Sequence, residues 1–273
     1  MATGFFKHIP DLLYDFKSDG NLKLAKDLFR KVSTWTHLQE GVSGYSYYRI
    51  TEGERPDVVA SKLYGDSTLY WLFFLVNENL QDLNDWPKSN SLFEKYVDRK
   101  YPGTCLVASS SSDIVTYDHS LADRDQLKSR KFVLGEKVSQ SSSIYGFITD
   151  INPTHKRITL NSVNGIFTSS STVTGADSGA SFTTSSIVNE KDAVHHYKDS
   201  NGFLTTAESY TSDSSNTKLD NEGNAYLYTT TNNTSVTNLV YERALNEDKH
   251  TIRYIEPRYI DRVVREFIQI VRS

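Results

Sequence analysis

From Leu69 to Val76 the chain reads Leu-Tyr-Trp-Leu-Phe-Phe-Leu-Val, with no charged or small polar residue to interrupt it. This is the longest apolar run, and it is far shorter than the ~20 residues that span a bilayer. It has to be buried in protein. Leu69, Leu72, Phe73 and Val76 follow the i, i+3, i+4, i+7 spacing of one helical face, while Tyr70, Trp71, Phe74 and Leu75 fill the rest of the circumference. A helix that is apolar all round needs cover on every side. The aromatic-dense stretch around it, residues 45–103, is too small to provide that cover alone.

The flanking residues predict how that stretch is built. Tyr47-Tyr48-Arg49-Ile50 has strand composition. Pro56 opens a helix, at a position where its missing N–H costs nothing. Val58, Val59 and Leu63 give the helix a buried side, and Gly65 ends it as a left-handed cap. Ser67 is placed to cap the apolar helix. Beyond Asp85-Trp86-Pro87, Ser91 to Arg99 reads as one more short helix.

Composition divides the chain further. Residues 1–44 form an arm with an amphipathic stretch, in which Leu24, Leu28, Phe29 and Val32 share a helical face. Residues 104–206 read as an inserted β-rich module, a small antiparallel barrel or sandwich. Its strand-like runs are Phe132 to Val138, Ile144 to Ile151 and Arg157 to Val163, with a hairpin around Asp199-Ser200-Asn201-Gly202. Ser and Thr fill 12 of the 19 positions from Thr168 to Ser186, which suits exposed β-structure or loop. Residues 207–235 are a polar linker. In 236–273, Val236 to Glu247 suits a helix, Thr251 to Ile255 a strand, and Pro257 opens a final amphipathic helix. Its stripe is Ile260, Val263, Val264, Phe267, Ile270 and Val271. The fold class is therefore α+β.

Charge and motifs exclude several functions. Thirty Lys and Arg against 34 Asp and Glu leave a net charge of −4, unlike a phosphate-tracking nucleic-acid binder. The start, Met1 to Pro10, lacks the apolar core of a signal peptide, which predicts folding in a cytoplasm. Cys105 is a lone cysteine in a strand-like setting, which suits a small buried side chain. His195 and His196 are adjacent on a predicted strand, so their side chains are expected on opposite faces and not on one metal. Glu52 and Glu54 flank Gly53 in a loop and imitate a catalytic pair, but two acids this close are common in loops. No nucleophile elbow, phosphate loop or zinc spacing is present in the sequence. The expectation is a non-enzyme without catalytic residues, cofactor or metal.

Two segments carry a resemblance. Tyr48-Arg49-Ile50-Thr51-Glu52-Gly53-Glu54-Arg55-Pro56 leading to Leu63-Tyr64-Gly65-Asp66-Ser67-Thr68-Leu69-Tyr70-Trp71 resembles a LysM module, a βααβ unit. With Asp27-Leu28-Phe29-Arg30, Asp85-Trp86-Pro87, Asn246 to Ile255 and Arg262 to Phe267, it is similar to the LysM-bearing baseplate wedge subunit of contractile-tailed, T-even-like bacteriophages. The resemblance covers about residues 22–103 and 236–273. It implies a structural virion protein of the tail baseplate, assembled in the host cytoplasm. Such a protein ties wedge components together and bridges adjacent wedges; its partners are other wedge proteins, not nucleic acid or membrane.

The expected partner-binding residues are Trp71, Phe74 and Leu75 on the apolar helix, and Ile260, Val263, Val264, Phe267 and Val271 on the terminal one. The alternative is that both faces close on this chain's own insert and arm. On the first expectation, Phe267→Asp blocks incorporation and leaves the LysM-like unit folded. The rival function is peptidoglycan binding through N-acetylglucosamine, with a residual groove at Gly53 and Arg55.

Overall fold

The computed structural model describes residues 9–18, 20–27, 44–116, 129–199, 202, 204–205, 218–219, 225–226 and 233–272. Along the chain run β1 (Asp11–Tyr14), β2 (Lys23–Lys26), β3 (Tyr45–Arg49), α1 (Pro56–Tyr64), α2 (Trp71–Val76) and α3 (Asn90–Lys100). There follow β4 (Thr104–Ala108), β5 (Lys137–Ser139), β6 (Tyr145–Asn152), β7 (Arg157–Asn164), β8 (Thr172–Gly175) and β9 (Ser181–Asn189). The chain closes with β10 (Val194–Lys198), β11 (Thr234–Thr237), α4 (Asn238–Asp248), β12 (Thr251–Ile255) and α5 (Ile260–Arg272). Two compact units result, Met1–Phe93 with Ala244–Ser273, and Glu94–Arg243.

In the first unit β3 pairs antiparallel with β12, from Arg49 opposite Thr251 to Tyr45 opposite Ile255. Strand, two helices and strand thus form one unit whose last strand comes from far along the chain. Pro56 stands at the start of α1 and Gly65 caps its end at φ 74°, a left-handed position where a side chain would be strained. The inward arc of α1 is Val59, Ala60 and, half-buried, Leu63, so Val58 falls outside it and is exposed. The cap before α2 is Asp66, not Ser67: its carboxylate accepts the Thr68 N–H at 2.8 Å. A carboxylate one residue earlier meets the same free N–H groups with a full charge. Ser67–Tyr70 consequently forms a 3₁₀ turn that leads into α2.

Buried Asn77 clips the end of α2 to β12. Its side-chain amide donates to the carbonyls of Phe73 (2.8 Å) and Arg253 (2.9 Å), and its oxygen accepts the Arg253 N–H at 2.8 Å. The Phe73 carbonyl also accepts the Asn77 backbone N–H, so Asn77→Leu should leave the Arg253 N–H and carbonyl unpaired and lower the unfolding free energy by about 2–3 kcal/mol in denaturant melts.

The arm differs from expectation. Leu24 lies in strand β2, opposite Leu13, not on a helical face. The strand Lys23–Lys26 pairs with Asp11–Tyr14, and Asp11 and Lys26 add an ion pair at 2.8 Å. Leu28, Phe29 and Val32 lie outside the described residues.

In the second unit six strands close a barrel in the order β8-β9-β4-β7-β6-β5, with all neighbours antiparallel. Leu106, Ile148, Ile158, Leu160, Val173 and Phe182 fill it. The Ser/Thr-rich stretch supplies β8 and β9. Val173, Phe182 and Thr184 alternate inward while hydroxyl residues face out, so two strands are built with very few large apolar side chains. Glu136, also buried, accepts the N–H groups of Val133 (2.7 Å), Asp177 (3.1 Å) and Ser178 (2.9 Å) and the Ser178 hydroxyl (3.0 Å). Burial alone would raise its pKa, but those donors outweigh it and hold the carboxyl below the usual range.

Cys105 is fully buried in β4 beside the Thr159 hydroxyl, and desolvation pushes its thiol up. It should react with a thiol reagent only after unfolding, and rapid labelling of the native protein would contradict that. Val236 belongs to β11, where it pairs with His196, and α4 starts at Asn238.

Candidate interaction surface

The two apolar faces that the sequence leaves without cover meet each other. The Trp71 and Phe267 rings lie 4.6 Å apart, and with Leu72, Ile255, Ile260 and Val263 they form one buried cluster. Among the described residues, that cover comes from α2, α5 and the end of β12. Phe267 is 1% exposed, so the expectation that Phe267→Asp spares this unit does not hold: a carboxylate there would face an apolar cluster. Val271 lies in α5, but its side chain is outside the described residues.

What these faces still show to solvent is narrower. Phe74, Leu75 and Val264 are half-buried. Phe74 rests against Tyr70 and Trp86, with ring centroids 6.4 Å and 6.0 Å apart. Val264 lies in an open groove of about 480 Å³ with Leu69 and Ile260, edged by Asp66, Asp261 and Arg265. Arg265 donates from Nε to the Asp261 carbonyl oxygen at 3.0 Å. Leu69, Asp66, Asp261 and Arg265 were absent from the sequence-based site. Their signal was the i, i+4 pairs Ile260–Val264 and Asp261–Arg265, which put an apolar and a charged row side by side.

Gly53 and Arg55 are exposed on the loop before α1, where Arg55 pairs with Asp57 at 3.0 Å. Between them Glu54 points inward and holds the loop. Its carboxylate accepts from the Tyr48 hydroxyl (2.9 Å), the Thr51 N–H (3.1 Å) and hydroxyl (2.8 Å), and Lys62. The Trp86 indole donates to the Glu54 carbonyl at 2.7 Å. Burial works against the charge, yet these donors hold the carboxyl down at about 2. Glu52 accepts the Asn90 N–H at 3.0 Å, at the start of α3. The two acids are thus tied to separate structural tasks.

Because the folded pKa of Glu54 is depressed, its contribution is complete above about 4.5, the value without partners, and is lost as pH falls toward about 2. Glu54→Gln should flatten the acid limb of a stability–pH curve over that window. An unchanged limb in the variant would count against this assignment.

The histidines also differ from expectation. The β10–β11 ladder slips between Val194 and His196, and this bulge turns both imidazoles to the same side, with their Nδ1 atoms 2.8 Å apart. Among the described residues no group of three or more His, Cys, Asp or Glu could hold a metal. Nor is any helix among them long and apolar enough to cross a membrane.

An open groove with a mixed apolar and charged lining and a hairpin exposing Leu13, Phe16, Leu22 and Leu24 are the kind of surface on which protein–protein contacts form. Residues 13–104, about a third of the chain, match the family model described as base plate wedge protein 53 of phages. That match supports a structural role in a phage baseplate. It covers the hairpin, β3, α1, α2 and α3, whereas β12 and α5, which complete the same unit, come from the far end of the chain. No curated protein matches the chain.

Proposed function

We propose that this chain is a wedge subunit of a contractile-tail baseplate that ties wedge components together and bridges adjacent wedges as the ring closes. The observation that carries the reading is the family match over residues 13–104. The β3-α1-α2-β12 order agrees with a LysM-like unit in which the barrel module is inserted before the last strand. In this reading the unit is a scaffold. Phe74, Leu75 and the groove around Val264 form the attachment face, while Trp71, Ile260, Val263 and Phe267 hold that face in shape. The groove is lined by six residues, far fewer than the roughly 20–30 a side of a standard interface, so attachment draws on several contacts at once.

Co-expression with the neighbouring wedge proteins of the same phage, followed by size-exclusion with light scattering, tests this. The expected result is a defined complex containing the chain. A monomer that ignores those proteins would refute it.

A further inference from the structure

The second unit contains a cluster that neither barrel packing nor baseplate attachment requires. In β10 the bulge brings His195 and His196 together, Nδ1 to Nδ1, at 2.8 Å. Two imidazoles can share that contact only if one donates and the other accepts, so at least one must be neutral. The His195 ring stacks on Tyr241 of α4 at 3.9 Å and 13°, and His196 meets the same ring edge-on at 5.8 Å. The pair therefore fastens strand β10 to the first turns of α4.

The charged and titratable groups around the pair oppose a second proton. Lys198 acts from β10 itself, Arg157 from β7, Lys100 from α3 and His155 from the turn before β7. Arg157 also donates to the Val194 carbonyl at 2.5 Å, which holds its charge close by. The opposing charge is Glu242 on α4. Its carboxylate is already engaged by Lys100 (2.7 Å), the Tyr101 hydroxyl (2.8 Å) and the Tyr96 hydroxyl (3.2 Å). It favours an imidazolium at His195, but burial and the His196 ring outweigh it.

We propose that the His195–His196 pair is an acid-sensitive latch that closes β10 onto α4 at neutral pH and opens when both rings are protonated. Burial depresses both imidazoles, followed by the His196 ring for His195 and by Lys198 for His196, so the neutral pair is the folded form. The latch is therefore complete above about 6.5, the ordinary histidine value, and weakens as pH falls below it. The device is local to this unit and independent of the baseplate assignment.

Hydrogen exchange of the full chain at pH 7.5 and pH 5.0, corrected for intrinsic rates, provides the test. Amides of Val194–Lys198 and of residues 238–243 should lose on the order of tenfold protection at pH 5.0, while β7 at the barrel wall stays protected. His196→Gln keeps a hydrogen-bonding side chain but cannot titrate, and should remove most of that loss. His155→Gln should leave the loss in place. Imidazole NMR of the unsubstituted protein gives a second reading if the variants fold poorly: the pair should take its second proton well below the ordinary histidine range. Equal protection at the two pH values, a full loss retained in His196→Gln, or two independent ordinary titrations would each overturn the latch.

Discussion

Phe267→Ala is expected to destabilise the unit built from residues 1–93 and 244–273 by about 3–5 kcal/mol, the usual cost of removing a buried phenylalanine. The ring lies 4.6 Å from Trp71 in a cluster with Leu72, Ile255, Ile260 and Val263. Its removal leaves a cavity between α2 and α5 that neither helix can close without losing its other contacts. Phe267→Leu, which keeps most of the volume, should cost under half as much. Chemical denaturation followed by tryptophan fluorescence reads this directly, since Trp71 reports from inside the cluster. A change below 1 kcal/mol for Phe267→Ala would mean that α5 is not packed as described. The same cluster explains why an assembly defect in a Phe267 variant would not by itself identify a partner contact.

Glu136→Gln is expected to cost the barrel unit about 3 kcal/mol. The carboxylate takes four donors from three residues and forms no ion pair among the described residues, so oriented N–H and O–H groups there hold its charge. An amide offers one acceptor oxygen and turns two N–H groups toward donors, which leaves some of those donors unpaired. A methyl at Gly175 would act on the same network, because a Cβ there would stand 2.6 Å from a Glu136 oxygen. The folded pKa is depressed, so this stabilisation is present above the ordinary carboxyl value and fades as pH drops below it. Thermal melts at pH 7 and pH 3 should therefore differ less in Glu136→Gln than in the unsubstituted chain. An equal pH response in both would contradict the assignment.

Much of the architecture was legible because it is written locally. Pro56 and Gly65 bracket α1 through backbone preferences that need no tertiary context. The period-two runs at β6 and β7 fall within a residue of their observed bounds. What escaped the sequence depends on distant partners. That β12 completes the sheet with β3 is a pairing across some two hundred residues, and no local pattern specifies it. Strands β8 and β9 were ambiguous because Val173 and Phe182 are almost their only large inward side chains. The histidine pair was misplaced because strict alternation cannot foresee a bulge.

The attachment face was half legible for a related reason. Amphipathic spacing marks Trp71 and Phe267 as buried on something, but the same signal serves an internal core and an interface. Only the packing separates Trp71, Val263 and Phe267, which close on each other, from Phe74, Leu75 and Val264, which stay partly open.

Electron cryo-microscopy of the assembled baseplate of the source phage tests the central claim most directly. This chain should appear within each wedge, with the Leu69–Val264 groove and the Phe74–Leu75 edge covered by neighbouring baseplate proteins. A baseplate lacking the chain, or one in which that face is open to solvent in every copy, would contradict it.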